Sequence, residues 1–323
     1  MKTKCVVKFF SFVAFMFIAL LPLKHVSAAQ EQSTAVQWYH QGLEYRDKKD
    51  YENAEQSFTK AIELDPANVY FYFSRGFNYY KSGHYNEAVA DYSRAVELKP
   101  ADPDYYFFRG ITYCELEQYD QALSDYNMTL QLNPAPIAYL HRGLTYSKLG
   151  QEEKAIEDYT KALGLDSSYA GALYNRGNSY YKLTQYDNAL ADYNETIKLD
   201  PKNAKSYGAK AHSARAATYY SLQRYDESLA DYSKVIELDA ESAAAYSDRA
   251  LVYYELKDFD KALLDFDKAI ELDPKGMQTY INRSKAHLAL GDRTKAKADL
   301  QKALELDPDN AEIKKAIKEL PRK

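Results

Sequence analysis

Cysteine is nearly absent from this sequence, and so are the patterns that usually indicate a catalytic or metal site. Two cysteines, Cys5 and Cys114, occur in 323 residues, which is too few for a disulfide framework. No glycine-rich phosphate loop is present, and the histidines are scattered without metal-ligand spacing. The sequence therefore predicts no metal, no cofactor and no catalytic residues, and we do not expect an enzyme.

A hydrophobic run covers residues 9–23, behind Lys2, Lys4 and Lys8 and ahead of small residues at 27–29. It is shorter than the roughly 20 residues that a membrane-spanning helix needs. The pattern predicts a secretory signal peptide at residues 1–29 and a short linker at 30–34. The alternative is an uncleaved N-terminal anchor, with membrane association through residues 9–23. We expect an exported protein, periplasmic or envelope-associated if bacterial and otherwise secreted.

Excess positive charge is also lacking. The formal net charge is −5, and removal of residues 1–29 takes away four lysines and no acid, which brings it to about −9. Nucleic-acid binding needs a basic footprint, so we expect no nucleic-acid partner. Only Cys114 remains after such processing. The fold must then be stabilised by packing rather than by an internal disulfide.

What the sequence does contain is a repeat of about 34 residues. A small residue is followed three positions later by an aromatic residue or a histidine at Gly42/Tyr45, Gly76/Tyr79, Gly110/Tyr113, Gly143/Tyr146, Gly177/Tyr180, Ala216/Tyr219, Ala250/Tyr253 and Ser284/His287. The steps between the small residues are 34, 34, 33, 34, 39, 34 and 34. One such unit cannot bury its apolar face alone, so the pattern predicts stacked units.

The second repeat, residues 69–102, shows the structure of one unit. Two stretches with apolar residues at helical spacing flank the break at residues 82–84, and Pro100 ends the second stretch. The small residue, here Gly76, is expected where the two helices cross, because a side chain would hold them apart. Each unit is therefore predicted to be helix–turn–helix.

Seven residues of the first unit then carry a family resemblance: Trp38, Gly42, Tyr45, Ala54, Phe58, Ala61 and Pro66. In this order and spacing they resemble the tetratricopeptide repeat (TPR), and the resemblance covers residues 35–310. It implies an all-α, right-handed superhelix, or α-solenoid, with repeats at residues 35–68, 69–102, 103–135, 136–169, 170–203, 204–242, 243–276 and 277–310. Residues 311–323 are expected to form a polar capping helix and a tail.

Seven repeats place an arginine just before the small residue and an aspartate 16 positions later, as in Arg75 with Asp91, Arg176 with Asp192 and Arg283 with Asp299. The first repeat has neither, with Gln41 and Ser57 instead. This register predicts ion pairs within a repeat or between adjacent repeats. The alternative is that the arginines bind an anionic ligand.

The resemblance implies that the second, fifth, ninth and twelfth residues of each first helix face a concave groove. We call these the groove positions. The predicted partner-binding residues among them are Tyr39, Tyr70, Phe73, Phe77, Tyr80, Phe107, Ile111, Leu140, Tyr174, Tyr181, Tyr220 and Tyr254. An exposed apolar stripe usually indicates a binding surface, but the same residues could instead pack against neighbouring first helices.

The sixth repeat has five extra residues in the region 202–215, which also carries Lys205, Lys210 and His212. We expect a lengthened first helix or loop there. Its basic residues could meet an acidic partner, or they could form a solvated charged face.

The leading hypothesis is a non-catalytic scaffold or adaptor that binds a protein or peptide in the groove. Assembly, trafficking or maturation of exported or membrane proteins would be its role. A chaperone-type carboxylate clamp is missing from the matching positions, so an extended or helical peptide with apolar anchors is the expected ligand. The alternatives are a secreted factor that acts on another cell's proteins, and an enzyme, for which no catalytic segment is left over.

Overall fold

The structure is a computed structural model, and it describes residues 26–200 and 207–320, with side chains from residue 31 onward. The predicted signal peptide therefore lies almost wholly outside the described residues, as do Lys205 and residues 321–323. Within the described ranges the chain forms seventeen α-helices and no strand. The all-α prediction is confirmed.

The helices alternate between the two members of each repeat. The first helices are α1 Val26–Asp47, α3 Val69–Ser82, α5 Pro103–Glu115, α7 Pro136–Lys148, α9 Ala170–Lys182, α11 Tyr207–Ser221, α13 Ala243–Glu255 and α15 Met277–Ala289. The second helices are α2 Tyr51–Leu64, α4 Tyr85–Leu98, α6 Tyr119–Leu132, α8 Glu152–Leu165, α10 Tyr186–Leu199, α12 Tyr225–Leu238, α14 Phe259–Leu272 and α16 Arg293–Leu306. The last helix is α17 Ala311–Glu319, which buries Ile313 against α16.

The described chain divides into two compact units, one up to Tyr105 and one from Tyr106 onward. In the first unit α1 packs on α2, α2 on α3 and α3 on α4. In the second unit the same succession runs from α6 through α17, so each helix packs mainly on its neighbours in sequence. Each unit is a stack of helix pairs, which is the arrangement of a solenoid.

Glycine sits where the two helices of a repeat approach most closely. A Cβ atom on Gly42 would lie 2.6 Å from Cε1 of Phe58, and a Cβ on Gly143 would lie 2.6 Å from Cε1 of Tyr159. Both rings are almost completely buried. Glycine occupies this position in five repeats, and Ala216, Ala250 and Ser284 occupy it in the other three. The crossing therefore needs a small residue, as the repeat pattern predicts.

The turn between the two helices of a repeat always contains one residue in the left-handed region. Three of these residues are glycines, and the other five are Lys49, Glu117, Thr184, Gln223 and Lys257, with φ between 58° and 62°. The left-handed residue reverses the chain within a few positions. It thereby sets the start of each second helix.

Two expectations need correction or refinement. Residues 30–34 belong to α1 instead of forming a linker, because they contain no glycine or proline that would end a helix. In the sixth repeat α11 has 15 residues, compared with 13 in α9 and α13. Part of the insertion thus lengthens the first helix, and residues 201–206 lie outside the described ranges.

Candidate functional site

Arginine and aspartate join the two helices of a repeat through paired hydrogen bonds. In the second repeat, Arg75 donates from Nε to Oδ2 of Asp91 and from Nη2 to Oδ1, both at 2.8 Å. The same two-bond geometry links Arg109 with Asp125, Arg142 with Asp158, Arg176 with Asp192, Arg215 with Asp231, Arg249 with Asp265 and Arg283 with Asp299. The predicted ladder of ion pairs is present.

The third arginine nitrogen reaches the preceding repeat. Nη1 of Arg75 donates to Thr59 at 3.0 Å, and Nη1 of Arg249 donates to Ser233 at 3.0 Å. Equivalent bonds join Arg142 to Asn127, Arg176 to Thr160, Arg215 to Asn194 and Arg283 to Asp267. The ladder therefore acts both within and between repeats. This supports the structural interpretation over an anion-binding one, because three of the five guanidinium N–H donors are used in these bonds and the aspartate pairs the positive charge.

Burial shifts the pKa values of the aspartate carboxyl groups in the ladder. Burial raises the pKa of Asp91 and of Asp125, although each accepts hydrogen bonds from its arginine. At Asp231 burial also acts to raise the pKa, but bonds from Arg215 and from Nδ1 of His212, at 2.7 Å, outweigh it and lower the pKa. His212 is buried. It is therefore part of the core, and the structure does not bring it into a surface patch with Lys210, which is exposed.

Three predicted partner-binding residues are core residues. Phe107, Ile111 and Leu140 expose 8%, 3% and 5% of their surface. The Phe107 ring lies 5.2 Å from the ring of His141, and Leu140 packs with Tyr159. At these positions the side chains are buried by helix packing: Tyr126 of α6 and His141 of α7 contact Phe107, and Tyr159 of α8 packs with Leu140.

The first unit presents partly exposed aromatic rings at its groove positions. Tyr70 is 57% exposed, and Tyr39, Phe73, Phe77 and Tyr80 are half-buried. The Phe77 ring contacts the guanidinium of Arg46 at 5.3 Å and the ammonium of Lys81 at 5.1 Å. Two cations therefore already lie over the Phe77 ring, and Tyr70 is the most exposed of the five rings.

In the second unit Tyr174, Tyr181, Tyr220 and Tyr254 are half-buried at their groove positions. The hydroxyl of Tyr181 lies 3.1 Å from Oγ of Ser221, and the hydroxyl of Tyr220 donates to Glu255 at 3.3 Å. These bonds tie each tyrosine to the next first helix along the stack. The rings are thereby held in fixed orientations.

One half-buried acidic residue next to the groove positions is not predicted from the sequence. Asp248 of α13 lies between the groove positions Ser247 and Leu251, and it is half-buried. Burial raises its pKa to about 6. An acidic residue two positions before the small residue Ala250 is the only signal of it in the sequence, and aspartates and glutamates occur in every repeat.

Of the described helices, none combines the length and the apolar character that crossing a bilayer requires. The described side chains also bring together no group of three or more residues that could hold a metal ion.

Most of the repeats match family models of known proteins. The tetratricopeptide repeat matches residues 170–203, 243–275 and 278–310, and the TPR repeat matches residues 42–83, 76–116, 146–184 and 216–257. The chain belongs to the tetratricopeptide repeat family. Members of this family typically act as non-catalytic scaffolds for protein–protein interaction. No curated protein matches this chain significantly.

Solved structures share the TPR fold. The C-terminal part of a TPR protein from Cytophaga hutchinsonii is 22% identical, with a TM-score of 0.60 and coverage of 76% of this chain and 99% of that one. A TPR protein from Parabacteroides merdae is 22% identical, with a TM-score of 0.54 and coverage of 88% and 98%. The APC/C hetero-tetramer Cut9–Hcn1 is 16% identical, with a TM-score of 0.58 and coverage of 84% and 53%, so this TPR chain spans about half of that one. At these identities the likeness shows the fold.

Proposed function

We propose that this TPR protein is a non-catalytic scaffold that binds an extended or helical segment of a partner protein along its first helices. The supporting observation is a repeated aromatic pair. In four repeats the aromatic ring at the last groove position, the twelfth residue of the first helix, packs on the ring of the first residue of the second helix. The ring centroids are 5.5 to 5.8 Å apart in the pairs Tyr80 with Tyr85, Tyr181 with Tyr186, Tyr220 with Tyr225 and Tyr254 with Phe259. Rings fixed in advance lose little conformational freedom when a partner binds.

The ligand class follows from the character of these rings. Tyrosine presents a large apolar face together with one hydroxyl, which suits apolar anchors and backbone groups of a peptide. The arginines that could have bound an anion are held in the ladder. We therefore favour a peptide segment with apolar anchors over a phosphate or a terminal carboxylate as the group recognised.

Photo-crosslinking in the native cell tests this proposal. A photoreactive residue would replace Tyr70 in one variant and Tyr254 in a second, and Glu157, an exposed residue of a second helix, in a control. We expect a specific protein adduct from the first two positions and none from the control. Adducts from Glu157 alone, or from none of the three, would refute binding along the first helices.

We also propose a cellular location for this function, outside the cytoplasm. A chain exported behind residues 1–29 would serve the assembly, trafficking or maturation of exported or membrane proteins. The basic start, the short apolar run and the small residues at 27–29 support export. Cell fractionation and N-terminal sequencing of the protein from its native source test it. A cytoplasmic protein that retains Met1 would contradict export.

A further inference from the structure

Asp248 differs from the other acidic residues at the helix contacts of the second unit. Asp231, Asp265 and Asp299 each accept two hydrogen bonds from an arginine. Asp248 is half-buried as well. Yet among residues 31–200 and 207–320 no hydrogen bond or ion pair joins its carboxylate to another side chain. The desolvation cost of its charged carboxylate is therefore not offset by a partner within the described chain.

The lysines on the neighbouring first helices do not neutralise it. Lys210 of α11 places its ammonium over the ring of Tyr207 at 5.4 Å. Lys285 of α15 is exposed and forms no ion pair with Asp248. The carboxylate thus remains available to a cation from outside.

A comparison between repeats shows why space is available beside this carboxylate. The residue of α7 that corresponds to Asp248 is His141, whose ring packs 5.2 Å from Phe107 and 6.2 Å from Tyr126. In the sixth repeat the counterparts of these two rings are Ser213 and Tyr232. A phenyl ring that covers one side of His141 is thus replaced by a hydroxymethyl group.

The next groove position of α11 also holds a smaller side chain than its counterpart in α5. It holds Ala217, whereas the corresponding residue of α5 is the buried Ile111. Tyr232 lies near the carboxylate: burial, followed by the charge of Asp248, raises the pKa of its phenol. The register therefore predicts Ser213, Ala217 and Tyr232 as the sixth-repeat neighbours of Asp248, where His141 of α7 has the larger Phe107 and Ile111 of α5 together with Tyr126.

A second carboxylate lies further along the same helix. Glu255 follows Asp248 by seven residues, which places it two turns further and roughly 10 Å along the axis on the same face. It accepts the hydrogen bond from Tyr220. Two acids on the same helix face, one of them bonded to Tyr220, suit a cation, because ammonium and guanidinium groups bind both carboxylates and aromatic faces.

We propose that Asp248 anchors a lysine or arginine side chain of a peptide segment that lies along the first helices of the second unit. This inference rests on the proposed scaffold function and adds the charge of the ligand to it. The cationic group supplies the ion pair that Asp248 lacks, while apolar residues of the same segment contact the tyrosines. The site thereby selects basic segments and rejects acidic ones.

Selection from a phage-displayed library of random 12-residue peptides tests the proposal. The immobilised baits are the full chain, Asp248→Asn, and Asp260→Asn as a charge-matched control on the exposed face of α14. We expect the unsubstituted chain and Asp260→Asn to enrich lysine or arginine at one position, and Asp248→Asn to lose that enrichment. A synthetic peptide with the selected sequence should bind Asp248→Asn about tenfold more weakly by fluorescence polarisation.

The other outcomes separate this inference from the proposed function. Selected peptides without a basic position, or the same basic position selected by Asp248→Asn, would overturn the inference and leave peptide binding intact. If the unsubstituted chain selects no peptide, both proposals fail. Circular dichroism of each variant checks that the substitution leaves the helical fold in place, and replacement of the selected basic residue by norleucine checks that its charge is what binds.

Discussion

The guanidinium of Arg176 donates two hydrogen bonds to the carboxylate of Asp192, 2.8 Å from Nε to Oδ2 and 2.7 Å from Nη2 to Oδ1. These bonds join the two helices of the fifth repeat. Asp192 is only 5% exposed. A carboxylate at this depth is tolerated because both of its oxygens are paired.

Arg176→Ala should therefore destabilise the chain by about 3 kcal/mol, because it leaves the buried charge of Asp192 without its partner. Urea unfolding followed by circular dichroism measures this. Lys198→Ala is the matched control, since it removes an exposed ion pair with Glu195 and should cost less than about 0.5 kcal/mol. Unchanged stability of Arg176→Ala together with weaker partner binding would favour the anion-binding interpretation.

Two glycines of the fourth repeat should respond to alanine in opposite directions. In Gly143→Ala the new Cβ meets the buried ring of Tyr159 at 2.6 Å, so we expect a loss of about 1 to 2 kcal/mol. In Gly164→Ala the Cβ meets nothing within 4 Å, so the better helix propensity should add up to about 1 kcal/mol. Thermal unfolding of both variants decides whether steric contact or helix propensity dominates at the crossing.

Thr184 is a β-branched residue at a φ of 58° in the turn after α9, a conformation that such residues rarely adopt. Thr184→Gly should stabilise the chain by about 1 kcal/mol, because glycine reaches this region without strain. The reciprocal variant is Gly150→Ala at a φ of 72°, which should destabilise by a similar amount. If both substitutions changed the stability in the same direction, strain in the turn would not be what determines the change.

Asp248→Asn should change stability in a pH-dependent way. Because burial raises the pKa of Asp248 to about 6, the folded state binds the proton more tightly than the unfolded chain does. The charged form therefore opposes folding, so the penalty is absent below about pH 4 and grows as the pH rises to about 6.

At pH 7.5 we expect Asp248→Asn to be more stable than the unsubstituted chain by up to about 3 kcal/mol. Near pH 4 the gap should shrink below about 1 kcal/mol. Urea unfolding at both pH values measures the gap, with Asp260→Asn as the exposed comparison. A gap that is independent of pH would show that the carboxylate of Asp248 is not desolvated.

The repeat architecture and the ion-pair ladder are predictable from the sequence because both depend on fixed local spacings. Arg75 and Asp91 are 16 residues apart, and each later repeat reproduces that spacing. The burial of groove residues is not predictable in this way. Phe107 is covered by His141, whereas the corresponding pair in the sixth and seventh repeats is Ser213 and Asp248, so the identity of both neighbours decides how much of a groove position is covered.

The sequence also gives little reason to single out Asp248. Forty-seven aspartates and glutamates are spread over the chain, and most acids on solvent-exposed helices need no special explanation. Its importance depends on the absence of an arginine partner and on the small side chains at 213 and 217. Both are properties of the packed helices rather than of the residue.

The strongest charge contacts of the ladder stay inside single repeats, while the bonds to the preceding repeat end on threonine, serine, asparagine or the exposed Asp267. Cutting the array between two repeats therefore leaves each buried aspartate of the ladder with its arginine. The buried Glu152 is an exception outside the ladder, because its partners Lys182 and Ser179 belong to the next repeat. As far as the ladder is concerned, a complete repeat therefore carries its own buried ion pair with it, and the unit of the array is electrostatically closed.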